Sequence, residues 1–414
     1  MRLIRPILAV AAAAALALAP ALPASADAIR NAEYWLGEYG IRDAWAVTQG
    51  QGVIIAVIDT GVDATVPDLK GAVLPGYDFS GLGDAKGWAP VGSDDAEHGT
   101  LVASMAAGRG TGTNAGLIGA APGAMILPLS IALEGGEVDS DTQIAEAVKY
   151  AVDHGAKVIN MSLTRNTLGW PTSWDDAFSY AAAHDVVVVA AAGNRGSGTT
   201  VVGAPATMPG VLTVAGVDRD GNASFDASTQ GITVAVSAPS EQLVGVAPGG
   251  TYVSWSGTSG AAPIVSGIVA LVRAAHPELD AANVINRIVA TAHDRGAPGQ
   301  DNIYGYGLID AKAAVTADVP LVDRNPMGDL DEWISLYRPA AFEPKPPPTP
   351  VVVVPTPDPV DDPQAVGPLG TLLPPIALLE TVGPGVLAVV VAAALAVLLA
   401  VWIVRRADGV RRSR

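Results

Sequence analysis

The chain has no cysteine among its 414 residues. No disulfide can brace it, so its stability has to come from a sizeable buried core. Basic residues are scarce as well. Lysine and arginine number 24 against 41 acids, a formal net charge of -17. That balance disfavours nucleic-acid binding. Histidine is rarer still, with five in the chain. The "HExxH" signature of zinc proteases is missing. So is the "GxSxG" elbow of serine lipases and esterases.

What is present is strongly segregated. The first 26 residues carry Arg2 and Arg5, an apolar run and the small-x-small triplet Ala24-Ser25-Ala26. They read as a secretory signal peptide cut after Ala26. Residues 385–404, "GVLAVVVAAALAVLLAVWIV", contain no charge. As a helix they reach ~30 Å, enough for a bilayer core. The tail 405–414 holds five arginines, and basic flanks stay cytoplasmic. A single span with the rest of the chain outside is expected. Residues 321–384 read as a linker, with "EPKPPPTPVVVVPTPDPVDDP" (343–363) too proline-dense for a core. Residues 51–320 are expected to be the main domain, preceded by an extension, 27–50, that carries Tyr34, Trp35, Tyr39 and Trp45.

Within 51–320, apolar runs recur: "GVIIAVID" (52–59), "MILPLSI" (125–131), "AKVINMSL" (156–163), "DVVVVAAAGN" (185–194) and "GVLTVAGVD" (210–218). They are continuous rather than alternating, as in strands of a parallel sheet buried on both faces. Residues 141–155 and 173–185 have helical spacing. The pattern predicts an α/β sandwich, with ligands beyond the carboxyl ends of the strands.

Chemistry-bearing residues fall at such ends. Asp59 closes a buried strand in "VIDTGVD". His98 opens "HGTLVASMAAG", whereas His154, His184, His276 and His293 sit at helix ends or turns. Ser259 lies in "GTSGAAPIVSG", between Gly257 and Gly260, where a helix is expected to begin with Pro263 in its first turn. A serine nucleophile needs a base, and the base needs a third group to orient it. Asp59, His98 and Ser259 can fill those places. Asn194, after Gly193, can donate to the oxyanion beside the Ser259 N–H.

Together these segments closely resemble the subtilisin-like serine proteases, from about residue 50 to 315. "VINMSL" (158–163) matches the strand lining that family's substrate cleft. The resemblance implies a three-layer α/β sandwich with a mostly parallel central sheet. It makes Asp59, His98 and Ser259 the triad, with Asn194 as oxyanion donor. Ser162, Leu163 and Thr164, with Ala191, Ala192 and Gly193, would bind substrate. Catalysis needs no cofactor. Calcium often stabilises such folds, but the scattered Asp63, Asp68 and Asp78 are ordinary loop residues by spacing, and no metal ligand is assigned. Three positions depart from the pattern: Gly260 replaces Met after the nucleophile, Glu97 replaces Gly before the histidine, and "SLTRN" (162–166) replaces Ser-Leu-Gly-Gly.

The layout as a whole looks like the mycosins, the membrane-anchored proteases of type VII secretion systems, although those generally carry disulfides. That likeness implies protein or peptide substrates, a membrane location and a secretion-complex partner. The rival reading is a non-catalytic scaffold that stabilises such a complex. The complete set of catalytic residue types weighs against it.

Overall fold

The computed structural model describes residues 28–92 and 95–339. The expected signal peptide, the proline-dense stretch 343–363, the apolar run 385–404 and the basic tail lie outside the described residues.

Apolar strands that cannot show either face to water must be covered twice. A seven-stranded parallel sheet is the result, in the order β2-β3-β1-β4-β5-β6-β7. The strands are β1 (Ile54–Asp59), β2 (Tyr77–Asp78), β3 (Met125–Ser130), β4 (Val158–Met161), β5 (Val187–Ala191), β6 (Leu212–Val217) and β7 (Val234–Pro239). Side chains alternate across the sheet with period two. Ile55 and Val57 of β1 enter one core cluster, while Ala56 and Ile58 enter the other.

Ten helices are described: α1 (Ala28–Ala32), α2 (Trp35–Glu38), α3 (Ile41–Ala44), α4 (His98–Ala107), α5 (Ser140–Asp153), α6 (Thr172–Ala183), α7 (Thr258–Ala275), α8 (Ala281–Ala290), α9 (Ala311–Thr316) and α10 (Leu330–Tyr337). Residues of α4, α7, α8 and α9 fill the first cluster, and residues of α5, α6 and α10 fill the second. These are the three expected layers. A separate antiparallel hairpin pairs β8 (Leu243–Val246) with β9 (Tyr252–Trp255) and leads into α7. α7 has the length and hydropathy of a membrane span, yet most of it is buried in the core.

β1 pairs with β3 on one side and β4 on the other. The sequence order of strands reverses there, which opens a crevice at their carboxyl ends. Asp59 ends β1, and Ser162 follows β4.

Composition misjudged the domain's C-terminal edge. Residues 321–339 belong to the folded unit, not to a linker. α10 buries Leu330 and Ile334 in the second cluster, and Arg338 donates to both Asp175 carboxylate oxygens at 2.9 and 2.7 Å. The segment 28–50 also packs tightly. Trp35, Leu36 and Ile41 are fully buried in the first cluster. Tyr34 donates to the Glu241 carbonyl at 2.8 Å, and the Trp45 indole to that of Ala120 at 2.9 Å.

With so much of it inside the core, 28–50 should act as a brace. Trp35→Ala in the full chain is expected to cost about 3–5 kcal/mol of stability. Deleting 28–50 should lower the melting temperature with little gain in peptidase rate. Calorimetry and a peptide assay check both, and a stable, many-fold faster deletion variant would mark 28–50 as an inhibitory propeptide instead.

Candidate active site

Asp59 is nearly buried at the end of β1, at 4% exposure. Its Oδ1 accepts from the Thr60 N–H at 2.7 Å and from His98 Nδ1 at 2.8 Å. Its Oδ2 lies 3.0 Å from the same nitrogen. A carboxylate can only accept, so His98 carries its proton on Nδ1 and turns Nε2 toward the crevice as an acceptor.

Two glycines permit that pairing. A Cβ on Gly99 would lie 2.2 Å from the Gly61 carbonyl oxygen. Gly61 itself has φ +91°, and its own Cβ would meet Ala89 O and Ser130 Oγ at 2.7 Å. Only with both positions bare can the first turn of α4 rest on the turn after β1. Thr60 then ties them. Its hydroxyl donates to Ala96 O at 3.1 Å and accepts from the Gly99 N–H at 2.9 Å. Sequence reading missed Thr60, although its place between Asp59 and Gly61 was a signal.

The electrostatics of His98 run in opposite directions. Burial disfavours its charged form. The Asp59 carboxylate, through charge and hydrogen bond, and then the Asp95 and Glu97 charges, outweigh burial and raise its pKa above the ordinary value.

Ser259 is the second residue of α7. Its hydroxyl donates to the Ser162 carbonyl at 3.2 Å and not to His98 Nε2. Such links often form only with substrate in place. The helix begins at Thr258, between the two glycines as expected, but Pro263 is then its sixth residue and lies inside α7 rather than in the first turn.

Asn194 follows β5. Its Oδ1 accepts from the Thr258 N–H at 2.8 Å and the Thr258 hydroxyl at 2.9 Å. A backbone N–H fixes which end of the amide is oxygen. Nδ2 is thereby left as the donor end, beside Gly257, where a Cβ would lie 3.0 Å away. Thr258 also accepts from the Gly193 N–H at 3.1 Å. It was not singled out in the sequence.

The residues expected to bind substrate fall in two places. Ser162, Leu163 and Thr164 line a pocket of about 130 Å³ together with Asp59, Thr60, Asp95, His98, Ile131 and Leu133. Ala191, Ala192 and Gly193 do not line it, and Ala191 and Ala192 are buried in the core. Gly260 has a local reason. A Cβ there would lie 2.3 Å from Leu243 Cδ1 and 3.3 Å from Trp255 Cζ2, and Trp255 packs edge-on against the His98 ring with centroids 5.9 Å apart. Asp63, Asp68 and Asp78 stand apart. Each accepts hydrogen bonds from protein groups, with Asp68 bound to the Leu117 N–H at 2.6 Å and the Tyr252 hydroxyl at 3.1 Å. Among the described residues no three His, Cys, Asp or Glu cluster as a metal site.

The bare contact at Gly99 yields a direct test. Gly99→Ala must push the turn of α4 away from β1 and lengthen the His98–Asp59 bond. The expected result is a stability cost of about 1–3 kcal/mol and a larger loss of peptidase rate, measured by melting and steady-state kinetics on one preparation.

Comparison with known proteins gives the same picture. The model of the subtilase family matches residues 50–307. Fervidolysin of Fervidobacterium pennivorans is 35% identical over 71% of this chain, which spans only 45% of that protein's length. Mycosin-1 of Mycobacterium tuberculosis is 36% identical over 69% of this chain and 74% of its own. The crystal structure of MycP1 from the ESX-1 type VII secretion system, at 30% identity, superposes with a TM-score of 0.61 and covers 74% of this chain and 91% of that one. The chain therefore belongs to the subtilase family, as a subtilisin-like serine endopeptidase with mycosins among its similar proteins.

Proposed function

We propose that this protein is a membrane-anchored, extracytoplasmic endopeptidase that cuts proteins exported by a type VII secretion system. The carrying observation is the Asp59–His98 bond at the mouth of the crevice, with Ser259, in the first turn of α7, bonded to Ser162, which lines the same pocket as His98. The likeness to the ESX-1 protein supports the secretion role. The apolar run 385–404 and its arginine tail support the anchor.

The chemistry runs as follows. The Ser259 hydroxyl swings from the Ser162 carbonyl toward His98 Nε2 and gives up its proton as Oγ attacks the scissile carbonyl. Asp59 holds the tautomer and stabilises the imidazolium. The new oxyanion takes hydrogen bonds from Asn194 Nδ2 and the Ser259 N–H, at the positive end of α7. His98 returns the proton to the leaving amine, and water then hydrolyses the acyl-enzyme. No cofactor enters any step.

Fluorophosphonate labelling of the full-length protein should vanish in Ser259→Ala. Asn194→Ala should lose about 2.7–4 kcal/mol of transition-state stabilisation, the range known from subtilisin. Unchanged kinetics would remove Asn194 from the site. In the producing cell, Ser259→Ala should leave exported proteins uncut while secretion continues. Loss of secretion on deletion, with processing untouched by Ser259→Ala, would favour the scaffold role.

The raised pKa of His98 sets the pH dependence. The base must be neutral to accept a proton, and a raised pKa keeps it charged to higher pH. The acid limb of kcat/KM should therefore lie above the ordinary histidine value of about 6.5. Replacing Asp95 with Asn and Glu97 with Gln removes two of the charges that raise it, so the limb should move to lower pH.

A further inference from the structure

A buried polar chain runs beneath Ser259. Pro263 stands four residues after it and has no N–H, so the Ser259 carbonyl is denied its regular helical partner. The Ser162 hydroxyl donates to that carbonyl at 2.9 Å. Asn160 Nδ2 donates to the Ser162 hydroxyl at 3.0 Å, and the Ser266 hydroxyl donates to Asn160 Oδ1 at 2.8 Å. Asn160 and Ser266 are fully buried, and Ser162 is 4% exposed. Asn160 shares a strand with Val158 and faces α7 among the apolar residues of the first cluster.

The chain has a direction. Ser266 holds the amide oxygen of Asn160 toward the helix, so its nitrogen must point at Ser162. That bond takes a lone pair of the Ser162 hydroxyl and leaves its proton for the Ser259 carbonyl. With the Asn160 amide reversed, Ser162 would donate to Asn160, and the Ser259 carbonyl would lose its donor. Ser259 answers with its own hydroxyl on the Ser162 carbonyl, so the two residues grip each other twice. Gly260, with no Cβ, adds backbone freedom to this turn, which makes an external clamp on the carbonyl more consequential.

We propose that Ser162, Asn160 and Ser266 are positioning residues that fix the carbonyl of Ser259 and thereby aim its Oγ and N–H. This rests on Ser259 being the nucleophile. Ser266 gives the cleanest probe, because it lies in the core two hydrogen bonds from Ser162. In the full-length protein, Ser266→Ala should lower kcat and the fluorophosphonate labelling rate by roughly three- to tenfold, with KM for a peptide substrate within about twofold. Ser162→Ala should lower the labelling rate by at least as much.

Pro263→Ala supplies the diagnostic background. It places an N–H where the helix can reach the Ser259 carbonyl, so Ser162→Ala and Ser266→Ala should each cost less than about twofold in that variant. A merely structural role would give the same penalty in both backgrounds, or a melting shift with unchanged labelling rate, and either result overturns the inference. Should Pro263→Ala not fold, the labelling rate of Ser266→Ala alone decides, because a rate equal to the parent's defeats the proposal. If labelling persists in Ser259→Ala, the nucleophile assignment has failed first. If it vanishes there while Ser266→Ala labels at the parent rate, only the present inference has failed.

Discussion

A sheet covered on both faces leaves polar chemistry almost nowhere to go except the strand ends. That single constraint organises the molecule. β1 and β4 are apolar along their length because helices lie above and below them. Asp59 can be ionic only where β1 meets the crevice. Asn160 breaks the rule inside β4, and burial without partners would cost several kcal/mol. Both ends of its amide are therefore bonded. In a chain without disulfides the same two-sided covering supplies the stability, and the N-terminal segment adds Trp35, Leu36 and Ile41 to it.

The parts legible from sequence were those with a local backbone demand. Asp59, His98, Asn194 and Ser259 each lie within two residues of a glycine, and the structure shows what those glycines permit. Gly61 and Gly99 touch, Gly193 and Gly257 have positive φ, and in each case a side chain would spoil the approach. The continuous apolar runs announced the parallel sheet for the same local reason.

What the sequence hid depends on partners far along the chain. Pro263 was placed in the first turn because a mid-helix proline normally orphans a carbonyl. Here Ser162, about a hundred positions earlier, takes that carbonyl. α10 was lost in a linker because a short helix needs its receiving surface to be recognised. Trp333 against Trp170, with ring centroids 4.6 Å apart, is a contact no local window contains. Gly260 also has partners far along the chain. Leu243 and Trp255 occupy the space in which a larger residue would begin.

The grip on Arg338 has a mechanical consequence. Its guanidinium is held by both oxygens of Asp175 and by the Trp170 carbonyl, and it sits over the Trp170 and Trp333 rings. A pull on the chain from its C-terminal side enters the domain at this rivet. The load passes to α6 and the second cluster, on the opposite face of the sheet from α7 and Ser259. A load applied at Arg338 is thus taken first by the layer that holds α6, and not by the layer that carries α7 and Ser259.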